Sequence, residues 1–216
     1  MNLQIYQAYY DTAHLPKLDP NFIPYDNTVN EAPHLREYPM WKKLYEQHKE
    51  TDAHWGLMSW RWHEKTGLSA HEFKEWVVAN PGYDCYHFDP FSHLAGQFPN
   101  LWVQGDIWHP GMLKFANKLF PKIGINEPAE QFKYQPEDFG TCNYYIGNNK
   151  FWTSLLDFFD LCLKYCDEDE ELHKYIYVDG RMYNGHIIPN FSFVMERLFS
   201  VHNILNRNIT VKKFPK

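Results

Sequence analysis

The 216-residue chain has no stretch of about 18 consecutive apolar residues, so no segment of it reads as a membrane span. Its first residues, MNLQIYQAYY, have no charged leader followed by an apolar core, and no signal peptide is expected. It has only four cysteines, Cys85, Cys142, Cys162 and Cys166, and no C-x-x-C pair. Cys162 and Cys166 are four apart in an apolar helical stretch, which reads as buried thiols rather than a metal clip. Reduced thiols without a leader point to a cytoplasmic location. Positive charge is scarce as well: 21 Lys and Arg stand against 27 Asp and Glu, a net charge of −6, and no basic stripe exists. A nucleic-acid partner is therefore not expected. There is no repeat, no low-complexity tract and no linker rich in Gly and Ser, so the chain reads as one domain over residues 1–216. No H-E-x-x-H is present, which argues against a zinc hydrolase.

Aromatic residues are plentiful, at 18% of the chain. Such side chains fill cores and line pockets. Leu3 to Tyr9 alternates and is rich in strand formers, predicting a first strand. Residues 11–34 carry Pro16, Pro20, Pro24 and Pro33 and read as a long loop without regular structure, a feature often tied to function. Leu35, Tyr38, Trp41, Leu44 and Tyr45 fall at helical spacing over 35–48. His54 to Trp60 reads as a strand. Ser69 with Glu72 forms a capping box, and Leu68 with Phe73 forms the accompanying staple, opening a helix that ends near Asn80-Pro81. Residues 84–88 and 141–147 read as strands. Pro110-Gly111 opens a helix to Leu119. Residues 149–165 read as a helix apolar nearly all round, hence buried. DEDEE at 167–171 reads as a solvated acidic turn. The last helix, 190–205, places Phe191, Val194, Met195, Leu198, His202 and Leu205 on its inner face. Strands alternating with helices predict an α/β fold with a mostly parallel sheet, in which ligands bind beyond the carboxyl ends of the strands.

Four groups of residues carry chemistry in that setting. His87 and Asp89, two apart at the end of a short strand, share one side of it and suit a divalent cation. The segment from Tyr25 to Glu37 gathers Asp26, Asn27, Asn30, Glu31 and Arg36 after the first strand, where polar groups can read a ribose and base. Asp106 precedes a helix N-terminus and is a candidate proton acceptor, or a helix cap. Glu196 and Arg197 lie off the apolar face of the last helix, either as an exposed pair or as part of a site.

Several segments together resemble nucleotide-sugar glycosyltransferases of the GT-A fold, in particular the small glycosyltransferases of large algal viruses and related bacterial surface-polysaccharide enzymes. They are IYQAYYD at 5–11, LDPNFIPYDNTVNEAPHLREY at 18–38, EKTGLS at 64–69, YHFDPF at 86–91, WVQGDIWHPG at 102–111, CNYYIGNNKFW at 142–152 and FVMERLFSVHNIL at 193–205. The resemblance rests on their order and spacing. It implies a central mixed sheet between helices and a UDP-sugar donor held by the first strand and the loop after it. The expected donor contacts are Gln7, Tyr9, Asp26, Asn27, Arg36, Arg61 and Lys65. It also implies Mn2+ or Mg2+ on the diphosphate, held at a D-x-D motif of which this chain keeps Asp89 and replaces the first acid by His87. A net-negative protein that binds a diphosphate needs a local cation, which fits that expectation. The 142–152 segment is expected to line the sugar pocket and the 193–205 helix to close it. Transfer to a glycan or glycoprotein acceptor needs a carboxylate to take the acceptor proton, with Asp106 the first candidate and Glu196 the second. A metal-dependent hydrolase and a non-catalytic carbohydrate-binding protein are the alternatives.

Overall fold

The computed structural model describes residues 1–183 and 186–215. In chain order its elements are β1 (Leu3–Tyr9), β2 (Ile23–Asp26), α1 (Tyr38–His48), β3 (His54–Ser59), α2 (Trp62–Thr66), α3 (Ala70–Ala79), β4 (Cys85–His87), α4 (Leu101–Trp108), α5 (Met112–Leu119), β5 (Tyr145–Gly147), α6 (Asn149–Asp167), α7 (Glu170–His173), β6 (Gly180–Tyr183), β7 (His186–Pro189), α8 (Phe191–Leu205) and β8 (Val211–Lys213). Short 3-10 turns fill several of the connections.

The fold is α/β. Six strands form one mixed sheet in the order β2-β1-β3-β5-β4-β8, and β6 and β7 make a separate hairpin. β1 runs parallel to β2 and β3, and β4 runs parallel to β8. β5 is antiparallel to both of its neighbours. Five strands therefore share one direction and β5 alone is reversed. As a result, the carboxyl ends of β1, β3 and β4 and the start of β5 all lie along one edge of the sheet.

Helices cover both faces. Trp55, Leu57 and Tyr145 point to one side, where α1, α5, α6 and α8 contribute Trp41, Phe115, Trp152, Phe159 and Leu198. Ile5, Met58, Tyr144 and Ile146 point to the other, against Trp62, Phe73 and Val77 of α2 and α3. Tyr144, Tyr145 and Ile146 show the two-residue alternation of a strand buried on both faces. Trp55 and Trp152 stack at 4.0 Å, and the Trp152 indole donates to the Trp55 carbonyl at 2.9 Å. Gly56 lets β3 and β5 approach, since a Cβ there would sit 2.1 Å from the Tyr145 carbonyl oxygen.

Local signals in the sequence are met locally. The capping box of Ser69 and Glu72 is formed, and Asp19 adds a further acceptor for the Ala70 amide at 2.8 Å. Other expectations are corrected. The stretch 11–34 is not without structure, because it contains β2, an edge strand paired to β1. An edge position tolerates Pro24, whose missing N–H is not needed by a second neighbour. α6 is not apolar all round: Asp157, Asp160 and Leu161 are exposed while Phe151, Trp152 and Leu155 are buried. The Gln104-Gly105-Asp106 stretch lies inside α4, whose N-terminus is capped by Asn100 accepting from Trp102 and Val103. The acidic run opens α7, with Asp169 as its cap. Leu205 is exposed at the end of α8. Among the described residues no helix is long and apolar enough to cross a membrane.

Candidate functional site

A pocket of about 310 Å³ opens at the sheet edge where β3 ends and β5 begins. Ser59 reaches it from the end of β3, and Cys142, Asn143 and Tyr144 from the lead into β5. Arg36 and Glu37 come from the turn before α1, and Arg61 and Lys65 from the start and body of α2. The far wall is Ile188 of β7 with Ser192, Phe193 and Glu196 of α8. This is where an open α/β sheet holds ligands, because helices and loops diverge there from the strand ends.

Glu196 is placed by the periodicity of α8. Phe191, Val194, Met195, Leu198 and Phe199 face the core. Ser192 and Glu196, four apart, fall on the adjacent face that looks into the pocket. The Glu196 side chain is 17% exposed. Burial pushes its carboxyl up from the ordinary 4.5 to about 8, with Arg197 and Lys65 opposing the rise and Glu37 and Asp89 adding to it. Arg197 is not part of an exposed pair. It is buried, donating through Nε to the Leu101 carbonyl at 2.9 Å and through Nη2 to Gln104 Oε1 at 2.6 Å, with Glu196 4.0 Å away. It fastens α8 to α4 while the neighbouring Glu196 turns outward.

Three cations line the same pocket, and of these Lys65 acts on the Glu196 carboxyl. Arg36 has φ 52° and ψ −120°, and it is the only non-glycine residue with positive φ among those described. Such a conformation costs on the order of 1–3 kcal/mol and persists where the surroundings impose it, often at a binding site. Arg61 is held by Glu64, with Nε to Oε2 at 3.0 Å, and lies 5.9 Å from the Trp60 ring centroid. The Lys65 ammonium sits 5.8 Å from the Tyr144 ring centroid. Both contacts are within cation–π range, and Arg61 is in addition ion-paired with Glu64 through Nε and Nη2.

Of the residues singled out from the sequence, Arg36, Arg61, Lys65 and Glu196 converge here. Gln7 does not line the pocket. It is buried, donates to the Ser59 carbonyl at 3.1 Å and accepts from the Asp19 amide at 2.8 Å, so it sets the position of Ser59. Asp26 accepts from the amide and hydroxyl of Thr28, at 2.9 and 2.7 Å, and faces the Tyr9 hydroxyl across the strand pair. The Asn27 amide closes the same corner on the Tyr9 carbonyl at 2.9 Å. These three stand at the same sheet edge, outside the pocket wall.

Asp106 accepts from the amides of Gly111 and Leu113, both at 3.0 Å. It caps the start of α5 and is not in the pocket. His87 is buried, its Nε2–H donating to the Glu137 carbonyl at 2.9 Å, and burial beside Lys213 lowers its pKa to about 3. Asp89 is also buried. Its Oδ1 accepts from the Thr141 hydroxyl at 2.6 Å and the Phe91 amide at 3.1 Å, and its Oδ2 lies 3.8 Å from the Lys213 ammonium. Among the described residues no three His, Cys, Asp or Glu side chains group to hold a metal ion. His87 Nδ1 and Asp89 Oδ2 are buried without a hydrogen-bond partner, and Lys213 is the cation beside Asp89.

Glu37, Ser59, Asn143, Tyr144 and Ser192 line the pocket without having been singled out individually. Adjacency to Arg36 could have flagged Glu37. Asn143 and Tyr144 fall in the 142–152 segment expected to line the sugar pocket, whereas nothing in the sequence marks Ser59 and Ser192. Comparisons with protein-family models, with curated proteins and with solved structures find no match for this chain.

Proposed function

We propose that the chain is a glycosyltransferase that holds a nucleotide-sugar donor in this pocket, with Glu196 as the proton acceptor. The observation that carries the reading is that Arg36, Arg61 and Lys65 line one pocket with the partly buried Glu196 carboxyl at the carboxyl edge of the sheet. Guanidinium groups bind phosphate oxygens bidentately, and an ammonium adds a point charge. Two guanidinium groups and an ammonium suit a diphosphate in a protein whose net charge is otherwise −6. In a single displacement the acceptor hydroxyl oxygen attacks the anomeric carbon, and the bond from that carbon to the diphosphate oxygen breaks. The leaving nucleoside diphosphate keeps the electron pair, and the three cations hold its added charge. The hydroxyl proton passes to Glu196. A carboxyl near 8 is close to neutral pH, which favours proton transfer in either direction. The central mixed sheet between helices, and the pocket lining by the 142–152 and 193–205 segments, support the reading. No step here depends on a metal, and the Mn2+ or Mg2+ implied by the resemblance is a separate proposal.

Titration calorimetry of UDP, GDP and CDP, each with and without Mn2+, tests this. UDP is expected to bind in preference, with Arg36→Ala and Lys65→Ala each weakening it. Equal binding of the three nucleotides, or UDP affinity untouched by both substitutions, would overturn the proposal. The metal arm reads independently, by whether Mn2+ changes the UDP affinity.

A further inference from the structure

A second pocket, of about 510 Å³, lies on the other side of the β6–β7 hairpin. Its wall includes Trp108 and His109 from the end of α4, Asp179 and Arg181 around the start of β6, and Ile187 and Asn190 around β7. Two features set it apart from an ordinary surface hollow. Trp108 is 55% exposed and Ile187 57% exposed, which puts two large apolar side chains on one pocket wall. His109 is only 8% exposed, yet its Nδ1 is buried without any hydrogen-bond partner. A buried ring nitrogen left unpaired is costly unless something completes it.

The pocket wall is tied together by ring stacking and hydrogen bonds. The His109 ring stacks on Phe193 at 3.7 Å, and its carbonyl accepts from the Tyr175 hydroxyl at 3.0 Å. Asn190 donates from its amide nitrogen to the Tyr175 carbonyl at 3.2 Å, and its backbone N–H donates to the Asp179 carbonyl at 3.1 Å. Burial, with Arg197 and Arg181 nearby, lowers the His109 pKa to about 4, so the ring is neutral at pH 7 and offers one donor and one acceptor.

We propose that this pocket binds a neutral, hydroxyl-rich sugar. The exposed Trp108 ring supplies an apolar platform for pyranose C–H groups, and His109, Asp179 and Arg181 supply hydrogen bonds to hydroxyls. Asp179 and Arg181 balance in charge, which selects an uncharged ligand over a phosphorylated or acidic one. The pocket abuts the donor site: Phe193 lines one pocket and stacks on His109 of the other, and Ile187 and Ile188 are consecutive. Its use as the acceptor subsite rests on the glycosyltransferase reading, but sugar binding does not.

The test is saturation-transfer NMR and calorimetry on the full chain, without nucleotide, using lactose, cellobiose, maltose and the methyl pyranosides of glucose, galactose and mannose. At least one is expected to bind, with Trp108→Ala weakening it about tenfold, roughly 1.4 kcal/mol, and Trp108→Phe keeping most of the affinity. Asp179→Asn should weaken it as well. UDP affinity should be unchanged in all three variants, because none lines the donor pocket. Absence of binding by every probe, or binding indifferent to both Trp108→Ala and Asp179→Asn, overturns the proposal. Tighter binding of glucuronic acid than of methyl glucoside would also overturn it. Loss of UDP binding to the unaltered chain would count against the donor reading alone.

Discussion

Replacing Glu196 by Gln separates its stability role from its chemical one. In the folded chain the carboxyl ionises near 8 instead of the ordinary 4.5, chiefly because ionising it means charging a desolvated group. Between those two pH values the folded state binds a proton that the unfolded chain has released. Stability must therefore fall as pH rises through this window, being fully present below about 4.5 and lost by the time pH passes about 8. At roughly 1.4 kcal/mol per pH unit the change amounts to several kcal/mol. Glutamine has the same shape and no proton to lose. Its melting temperature should thus gain on the wild type as pH rises, by an amount on the order of 10 °C at roughly 2–4 °C per kcal/mol for a chain this long. Differential scanning fluorimetry of both proteins from acid to mildly alkaline pH reads this difference directly, and subtraction removes the other titrating groups. In a transfer assay the same variant should lose about 10²–10⁴-fold in turnover while UDP affinity holds. The wild-type rate should rise with pH through about 8 as the base form appears. Parallel melting curves would refute the burial argument. A Gln variant with normal turnover would refute the proton-acceptor role.

Asp89→Ala should destabilise the fold by about 1–3 kcal/mol in urea denaturation, because it leaves the Thr141 hydroxyl and the Phe91 amide without their acceptor; a stable variant that loses only Mn2+-dependent UDP binding would show that Asp89 serves a metal instead. Asp106→Ala should lower stability by about 0.5–2 kcal/mol through loss of the α5 cap, with UDP affinity unchanged; a stable variant with abolished turnover would return it to the reaction. Gly56→Ala should cost about 1–3 kcal/mol or more, since its Cβ meets the Tyr145 carbonyl rather than a movable side chain; unchanged denaturant unfolding would contradict the close β3–β5 approach.

The sequence by itself determined whatever is set by neighbours along the chain. The first strand follows from alternation and strand-forming content over Leu3–Tyr9. The start of α3 follows from Ser69 and Glu72, whose reciprocal hydrogen bonds span three residues and need no partner from elsewhere. The α/β layering follows from the alternation of such segments. β2 was hidden because it is an edge strand with exposed side chains and a proline, and only pairing to β1 makes it a strand. The site divides in the same way. Arg36, Arg61, Lys65 and Glu196 were visible as polar residues of the right kind, but their convergence depends on the sheet order and on the reversal of β5, which brings Asn143 and Tyr144 to the edge where β3 ends. Asp89 was visible as a carboxylate at a strand end; that Lys213 stands beside it was decided by the docking of β8. Asp106 and Glu196 are both acids on helices, and of the two only Glu196 lines this pocket. A carboxylate that caps a helix and one that faces a desolvated pocket differ only in what the rest of the chain packs around them, because hydrogen-bond geometry and burial are properties of contacts between distant segments.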